Sequence, residues 1–551
     1  MRSLNVGNIG LAGLSGLMLT AGFPPIDLEW IAWICFIPLL ISLQDQSPSG
    51  AFKLGLVAGL SHYLTLLYWI VVALSRYGNI PFILSTATLF LLAFYLALYP
   101  AFFAVVLTRS HYVTFSPFLG ASIWVVLEYV RAHILTGFPW CLLGYSQYLR
   151  LPLIQIADIT GVYGISFIII LVNLVIYNVA TVINTNKKGR FKIGFKRSDT
   201  GYEHNKHQRQ RKTEYRHAWQ VTGIEIAITF LLVGATLFYG YHNLNEVSES
   251  GTKEMELRTV IAQGNIDQSI KWDKGFQEET VAIYYNLSAQ AAHFRPHIII
   301  WPETAIPFYF QDFSYLSQVV YNAAKTVNSK ILFGSPAYEK ENDTILYYNR
   351  AYVLSGEETF DYYDKVHLLP FGEYVPIKKY LPFLHRIAPA AGDFTPGKRL
   401  KPLEAHNLRI GALICFEAIF PDISRKLALQ GAEFLVNITN DAWFGRTSAP
   451  YQHLSMAALR CVETGLPMAR AANTGISAFV LENGEIVKKS RLFSREILTH
   501  EIKLRHHTTF YSQYGDIFAI VLLIITTTWS IFIVIVKKEM QLCTIPRRVK
   551  K

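Results

Sequence analysis

Arg409-Ile410-Gly411-Ala412-Leu413-Ile414-Cys415-Phe416-Glu417 is the stretch that decides how the middle of this chain is read. Its apolar run is too short for a helix and fits a buried strand over 409–414. A thiol and then a carboxylate stand just past that run. Ile298-Ile299-Ile300-Trp301-Pro302-Glu303 repeats the arrangement, with a carboxylate at the end. Between the two, Tyr362-Tyr363-Asp364-Lys365-Val366-His367-Leu368-Leu369-Pro370-Phe371-Gly372-Glu373-Tyr374 carries an isolated lysine and a second glutamate. Further strands are expected over 258–262, 297–301, 330–333, 352–354, 433–438, 468–471 and 477–481, and helices over 278–292, 313–326 and 449–464. This alternation predicts sheets covered by helices. Asn437-Ile438-Thr439 fits a glycosylation pattern but falls on an expected strand, and is read as buried sheet.

Outside this stretch the chain changes character. Of its 551 residues 51% are hydrophobic and 17% charged, with a mean hydropathy of +0.26. That balance excludes a disordered chain and favours a membrane protein. Eight apolar stretches, near 5–22, 27–43, 52–75, 80–108, 115–135, 160–184, 222–241 and 516–536, approach the ~20 residues that a helix needs to cross a bilayer. The expected organisation has three parts. Residues 1–241 form seven spans with a basic loop near 185–218, residues 242–515 form an α/β domain, and residues 516–551 form an eighth span and a basic tail.

The net charge of +11 sits in those basic segments, while 242–515 is close to neutral. Lys187, Lys188, Arg190, Lys192, Lys196 and Arg197 open the loop, and Lys537, Lys538, Arg547, Arg548, Lys550 and Lys551 lie in the tail. Clusters of this kind fix topology, which places both segments and both termini in the cytoplasm and 242–515 on the other side. No aromatic interleaving accompanies them, so nucleic acid is not an expected partner. Cysteines 35, 141, 415, 461 and 543 are scattered without a CxxC pair, so neither a metal site nor a disulfide framework is expected, and no cofactor is called for.

Ligands in α/β folds gather at the carboxyl ends of strands, so Glu303, Lys365 and Cys415 can meet there. A thiol with a pKa of about 8.5 is mostly protonated at neutral pH. A carboxylate in a partly dry pocket gains basicity and can take its proton. A lysine ammonium can hold first the thiolate and then the oxyanion of a tetrahedral intermediate, with the Phe416 N–H as a second donor.

These motifs resemble the Glu-Lys-Cys triad of the nitrilase superfamily, over most of 258–500. A narrower resemblance is to the apolipoprotein N-acyltransferase family. It is carried by Gln263-Gly264-Asn265-Ile266 with Lys271-Trp272, by the Lys365 motif, by Asn440-Asp441-Ala442-Trp443-Phe444-Gly445 with Gln452-His453, and by Thr136-Gly137-Phe138-Pro139-Trp140 and Gly144-Tyr145-Ser146-Gln147. The resemblance implies a multi-pass helical membrane domain of about eight transmembrane helices joined to an α-β-β-α sandwich. One departure stands out: the position after the nucleophile, commonly Tyr in that family, is Phe416.

The implied reaction moves an acyl chain from a membrane phospholipid, through a thioester on Cys415, to the α-amino group of the diacylglyceryl-cysteine of apolipoproteins. Glu303 is then the base and Lys365 the oxyanion partner. Glu373, Tyr374, Phe416 and Glu417 are supporting residues, and Trp272, Trp443, Phe444 and Trp140 are expected to line the substrate path. The implied location is a bacterial inner membrane with the catalytic domain in the periplasm. Two other readings compete. One is a membrane-anchored amidohydrolase with water as acceptor, for which one span would suffice. The other is a non-enzymatic transporter or sensor, against which the intact triad and the few charges within the spans both argue.

Overall fold

The structure is a computed structural model that describes residues 5–109, 116–188, 202–249, 255–268, 270–355, 360–374, 393–504 and 508–543. The centre of the basic loop (189–201) and the tail from 544 onward lie outside the described residues, as do Val375 and Pro376 of the Lys365 motif.

Twelve strands build two six-stranded sheets. The first has the order β12-β1-β2-β3-β4-β5, from Glu496–Leu504, Met255–Gln263, Ile298–Ile300, Lys330–Glu341, Thr344–Leu354 and Phe360–Asp364. The second has the order β11-β10-β9-β8-β7-β6, from Ile486–Lys489, Ala478–Val480, Met468–Ala472, Phe434–Thr439, Leu408–Ile414 and Leu403–Ala405. Strands β1, β2 and β3 run parallel, as do β7, β8 and β9.

Side-chain alternation along the strands explains how the sheets stack. Ile298 and Ile300 point to one face and meet Ile410, Ala412, Ile414, Val436 and Ile438 of the other sheet. Ile299 points the opposite way, into a layer formed by Gln277–Ala291 and Tyr315–Val327. Leu413 likewise points away from the first sheet, toward Pro421–Leu429 and Ala449–Thr464. The order is helix, sheet, sheet, helix. Each fully buried Ile or Leu in these layers contributes about 1.5–3 kcal/mol.

The expected strands all appear, within a few residues of their expected ends. β3 and β4 are longer, because they continue as a hairpin past Phe333 and Tyr352, where Gly334, Ser335, Pro336, Asn349 and Arg350 interrupt the apolar pattern and Glu339–Glu341 at the tip are exposed. β5, β6, β11 and β12 were not expected. β6 has three residues, β11 ends in Lys488 and Lys489, and β12 is an edge strand with only three buried positions. The helix expected over 313–326 starts at Tyr315, since Phe313 is left-handed and the Ser314 hydroxyl caps the Ser317 N–H.

The count of eight spans is corrected. Among the described residues four helices are long and apolar enough to cross a membrane: Phe82–Thr108, Pro117–Thr136, Val162–Asn184 and Arg216–Asn245. A fifth results if Pro48–Leu66 and Trp69–Tyr77, bent by 46°, count as one. The other three stretches fall short of that length among the described residues, each in its own way. Val6–Ala21 has 16 residues, or about 24 Å of helix against a ~30 Å hydrocarbon core. Residues 27–43 break into a tight turn, Glu29–Trp33, and a short helix, Ile37–Ser42. The described apolar part of the last helix is Ile517–Phe532.

The helical region and the outer helix layer of the second sheet share one apolar core, in which Trp69, Trp140, Leu143 and Ile169 join Leu413, Phe416, Leu427, Met456 and Ala457.

Candidate active site

Glu303 follows β2, Lys365 follows β5 and Cys415 follows β7, so the three meet where strand ends of both sheets converge. Gly334 of β3 makes room for this: a Cβ there would lie 2.8 Å from the Glu303 Cα and 2.5 Å from the Thr304 N. Cys415 is left-handed at φ +52°, a strained setting for a residue with a side chain, of the kind that concentrates at functional sites.

Each group is held from several sides. Glu303 accepts from the Asn349 amide at 2.7 Å and from the Asn440 N–H at 2.8 Å. Lys365 donates to Glu373 at 2.8 Å, and Asn349 donates to the same Glu373 oxygen at 2.9 Å. The other Glu373 oxygen accepts from the Leu369 N–H at 2.7 Å. Glu417 joins two strand ends: its carboxylate accepts from the N–H groups of Ile414 (2.8 Å), Val366 (2.7 Å) and His367 (3.1 Å), and from the Tyr363 hydroxyl (2.9 Å). That clamp registers the Cys415 strand end against that of Lys365.

The electrostatics follow from burial. Burial pushes the Cys415 thiol up, the Glu303 carboxylate adds to this, and Lys365 opposes it. The resting sulfur is therefore a thiol that needs a base. Burial also raises the Glu303 carboxyl, against the pull of Lys365. Burial works to lower Lys365, but the carboxylates of Glu373 and Glu303 outweigh it, so the ammonium stays charged. Lys271, donating to the Glu303 carbonyl at 3.2 Å, is lowered to about 8 by burial. The assembly thus holds a protonated thiol, a carboxylate of raised basicity and a fixed cation, the groups that acyl transfer to sulfur would need.

The remaining expected residues are distributed around this centre. Phe416 is buried and packs edge-on against Phe420. Tyr374 returns its carbonyl to the Phe371 N–H, closing the turn that carries Glu373. Trp272 is half exposed and lines a cavity of about 720 Å³ with Phe308, Tyr309, Tyr347 and Phe394. The Phe394 N–H donates to the Glu373 carbonyl at 3.1 Å, which ties one wall of that cavity to the turn carrying Glu373. Trp443 stands edge-on to Tyr77 of the helical region, with ring centroids 6.2 Å apart. Trp140 and Phe444 are packed with Trp69 in a buried aromatic cluster: Trp69 lies 4.8 Å from Trp140 and 4.9 Å from Phe444. The Gln452 carbonyl oxygen accepts from both indoles, at 2.9 Å from Trp140 and 3.2 Å from Trp69. The Gly137–Trp140 loop therefore packs against the sandwich at the helix that carries Gln452 and His453.

Comparison with known proteins shows the family to which the chain belongs. Residues 15–175 match the model of the apolipoprotein N-acyltransferase N-terminal domain, and residues 258–509 match that of carbon-nitrogen hydrolase. A protein of Geobacter metallireducens named apolipoprotein N-acyltransferase is 43% identical over 512 residues, which is 92% of this chain and 92% of its own. The chain belongs to the apolipoprotein N-acyltransferase family. The Pasteurella multocida protein of that name is 29% identical, over 92% of this chain and 91% of its own. Among solved structures, a carbon-nitrogen hydrolase from Helicobacter pylori is 18% identical, with a TM-score of 0.36, covering 45% of this chain and 90% of that one.

Sequence reading in this family member leaves several site groups unmarked. Asn349 lies among the tyrosines of β4, and no pattern singles it out; only its place opposite Glu303 and Glu373 gives it a role. Lys271, Asp441 and His453 fall in family motifs, but their partners come from distant segments. Arg470, fully buried, pairs with Asp441 at 2.8 Å. A charged residue within the apolar run 468–471 was the available signal.

Proposed function

We propose that this enzyme transfers an acyl chain from a membrane phospholipid, through a thioester on Cys415, to the α-amino group of the N-terminal diacylglyceryl-cysteine of apolipoproteins. The observation that carries the reading is the meeting of buried Glu303 and Lys365 with the partly exposed Cys415, directly behind which the apolar helices dock. In the proposed reaction Glu303 takes the Cys415 proton, and the thiolate attacks the ester carbonyl carbon of the phospholipid. Lys365 and the Phe416 N–H hold the oxyanion. The C–O bond then breaks, Glu303 returns the proton to the leaving oxygen, and a lysophospholipid departs. The acceptor amine attacks the thioester, Glu303 removes its proton, and the C–S bond breaks to restore the thiol. The enzyme thus works by a two-step exchange.

A bilayer setting supports this chemistry. Each buried CH₂ holds a diacylated substrate in the membrane by ~0.8 kcal/mol, so the active site must come to the lipid. The helical region exposes Phe82, Ile83, Phe230, Leu231 and Phe238, a surface suited to lipid rather than water. The proposed domains are a helical region to 241, a catalytic unit over 242–515 and a final anchor over 516–551. Two apolar helices flank the catalytic unit, Arg216–Asn245 and Ile517–Phe532. If both cross, the two basic segments share one side, the cytoplasm, and the catalytic unit faces the periplasm of a bacterial inner membrane.

The test is mass spectrometry of the purified full-length protein incubated with phospholipid and no acceptor. The expected result is an acyl adduct on Cys415, discharged by a diacylglyceryl-cysteine peptide whose amine becomes acylated. An adduct discharged only by water would make the protein a hydrolase, and no adduct on Cys415 would overturn the covalent mechanism.

A further inference from the structure

His453 lies buried in the middle of Ala449–Thr464, behind the nucleophile rather than beside it. Its Nε2 is 3.1 Å from the Cys415 carbonyl oxygen. A carbonyl can only accept, so Nε2 carries the hydrogen in either charge state of the ring. Nδ1 lies 3.0 Å from the Arg470 guanidinium, from which the neutral ring accepts, and 3.1 Å from an Asp441 carboxylate oxygen, to which the charged ring donates; Arg470 and Asp441 pair with each other at 2.8 Å, so in either charge state one partner orients the ring. The Asn437 amide donates to the same Cys415 carbonyl at 3.4 Å, and its oxygen is held in turn by Arg470. A left-handed residue thus has its carbonyl gripped by two donors in a closed polar shell.

The peptide group is planar. The Cys415 carbonyl and the Phe416 N–H belong to one plane and point in opposite directions, so whatever holds the carbonyl also aims the N–H. We propose that His453 is a positioning residue of acyl transfer: by gripping the Cys415 carbonyl it sets the peptide plane that directs the Phe416 N–H at the tetrahedral oxyanion. The helical region backs the same plane. The His453 ring lies against Trp140 at 5.9 Å, and the neighbouring Gln452 accepts from the Trp69 and Trp140 indoles. The inference rests on the reading of Cys415 as the acylated nucleophile.

Two reactions of one thiol separate this role from a merely structural one. Acylation by phospholipid passes through an oxyanion, whereas alkylation by iodoacetamide is a direct displacement without one. Full-length wild type, His453→Leu, His453→Gln and His453→Asn are compared in vesicles of phosphatidylethanolamine and phosphatidylglycerol. In His453→Leu the rate of acyl-Cys415 formation is expected to fall about 10²–10³-fold, the usual effect of losing one oxyanion donor. The KM for phospholipid and the alkylation rate should stay within about threefold. His453→Gln, whose amide can donate from near the Nε2 position, should recover about tenfold or more of the loss. If the leucine variant does not accumulate, His453→Asn, polar but too short to reach the carbonyl, should show the same selective loss relative to His453→Gln. A parallel fall of alkylation and acylation, or acylation within about threefold of wild type, overturns the proposal. Absence of any acyl adduct in wild type would instead sink the underlying reading of Cys415.

Discussion

The two helices Tyr315–Val327 and Ala449–Thr464 cover equivalent faces of the two sheets but live in different surroundings. Tyr315–Val327 buries Ser317, Val320, Tyr321, Ala323, Ala324 and Val327 on one face and turns Tyr315, Gln318, Asn322, Lys325 and Thr326 to solvent. In Ala449–Thr464 every residue except Tyr451 is buried, because the helical region covers its outer side. The first helix only closes a core. The second holds Gln452, His453, Arg460 and Glu463 between the apolar helices and the Cys415 strand end. Where a helix is covered on both sides, its polar residues must find protein partners, and here those partners are site groups and helical-region tryptophans.

The largest expected effect lies at the end of this contrast nearest the chemistry. Cys415→Ala should abolish the acyl adduct and lower acyl transfer by about 10³-fold or more, as removal of a covalent nucleophile does. Lys365→Met should cost about 10²–10³-fold in kcat with little change in KM, read by steady-state acylation. The pH dependence has a definite sign. The base must be ionised to act, and burial raises the Glu303 carboxyl above its ordinary 4.5, so the acid limb of kcat/KM should lie above that value. A limb at or below it would remove Glu303 as the base.

The next effects test the covered helix itself. Arg460 and Glu463 pair at 3.0 Å with both side chains fully buried, and Arg460 also donates to Tyr145 at 2.7 Å. Arg460→Met leaves Glu463 without its ion partner and should destabilise the fold by about 3–5 kcal/mol, measured as a lowered unfolding midpoint in detergent. Gln452→Leu strips the shared acceptor from two buried indoles and should cost about 1–3 kcal/mol. The smallest effect belongs to the solvent-facing helix: Gln318→Ala should stay within about 0.5 kcal/mol of wild type. If Gln318→Ala and Gln452→Leu cost the same, the contrast between the helices has no energetic content.

Much of this molecule is legible in the chain itself. Ile298–Ile300 and Ile410–Ile414 announce buried strands because an apolar run of that length has no other stable use, and a Glu or Cys at its end then falls at the sheet's edge. The helix over 449–464 is bounded by its own signals, Pro450 at the first turn and Gly465 at φ +69° after the last. Edge strands such as β11 and β12 escape notice because a strand buried on one side, and paired on one side, needs few apolar residues.

By itself, then, the sequence determined the sandwich, the three strand-end residues Glu303, Lys365 and Cys415, and the presence of apolar helices, because each is written in local periodicity and motif. Only the tertiary structure decided how those residues are held. Asn349 reaches Glu303 and Glu373 through the pairing of β3 with β4. His453 reaches the Cys415 carbonyl because Ala449–Thr464 packs against the turn Cys415–Ile419. Trp69 meets Trp140 on Gln452, 383 and 312 residues further along the chain. Among the described residues the structure also showed where an apolar run such as 27–43 breaks, since composition measures apolarity but backbone hydrogen bonding decides whether the run continues as one helix.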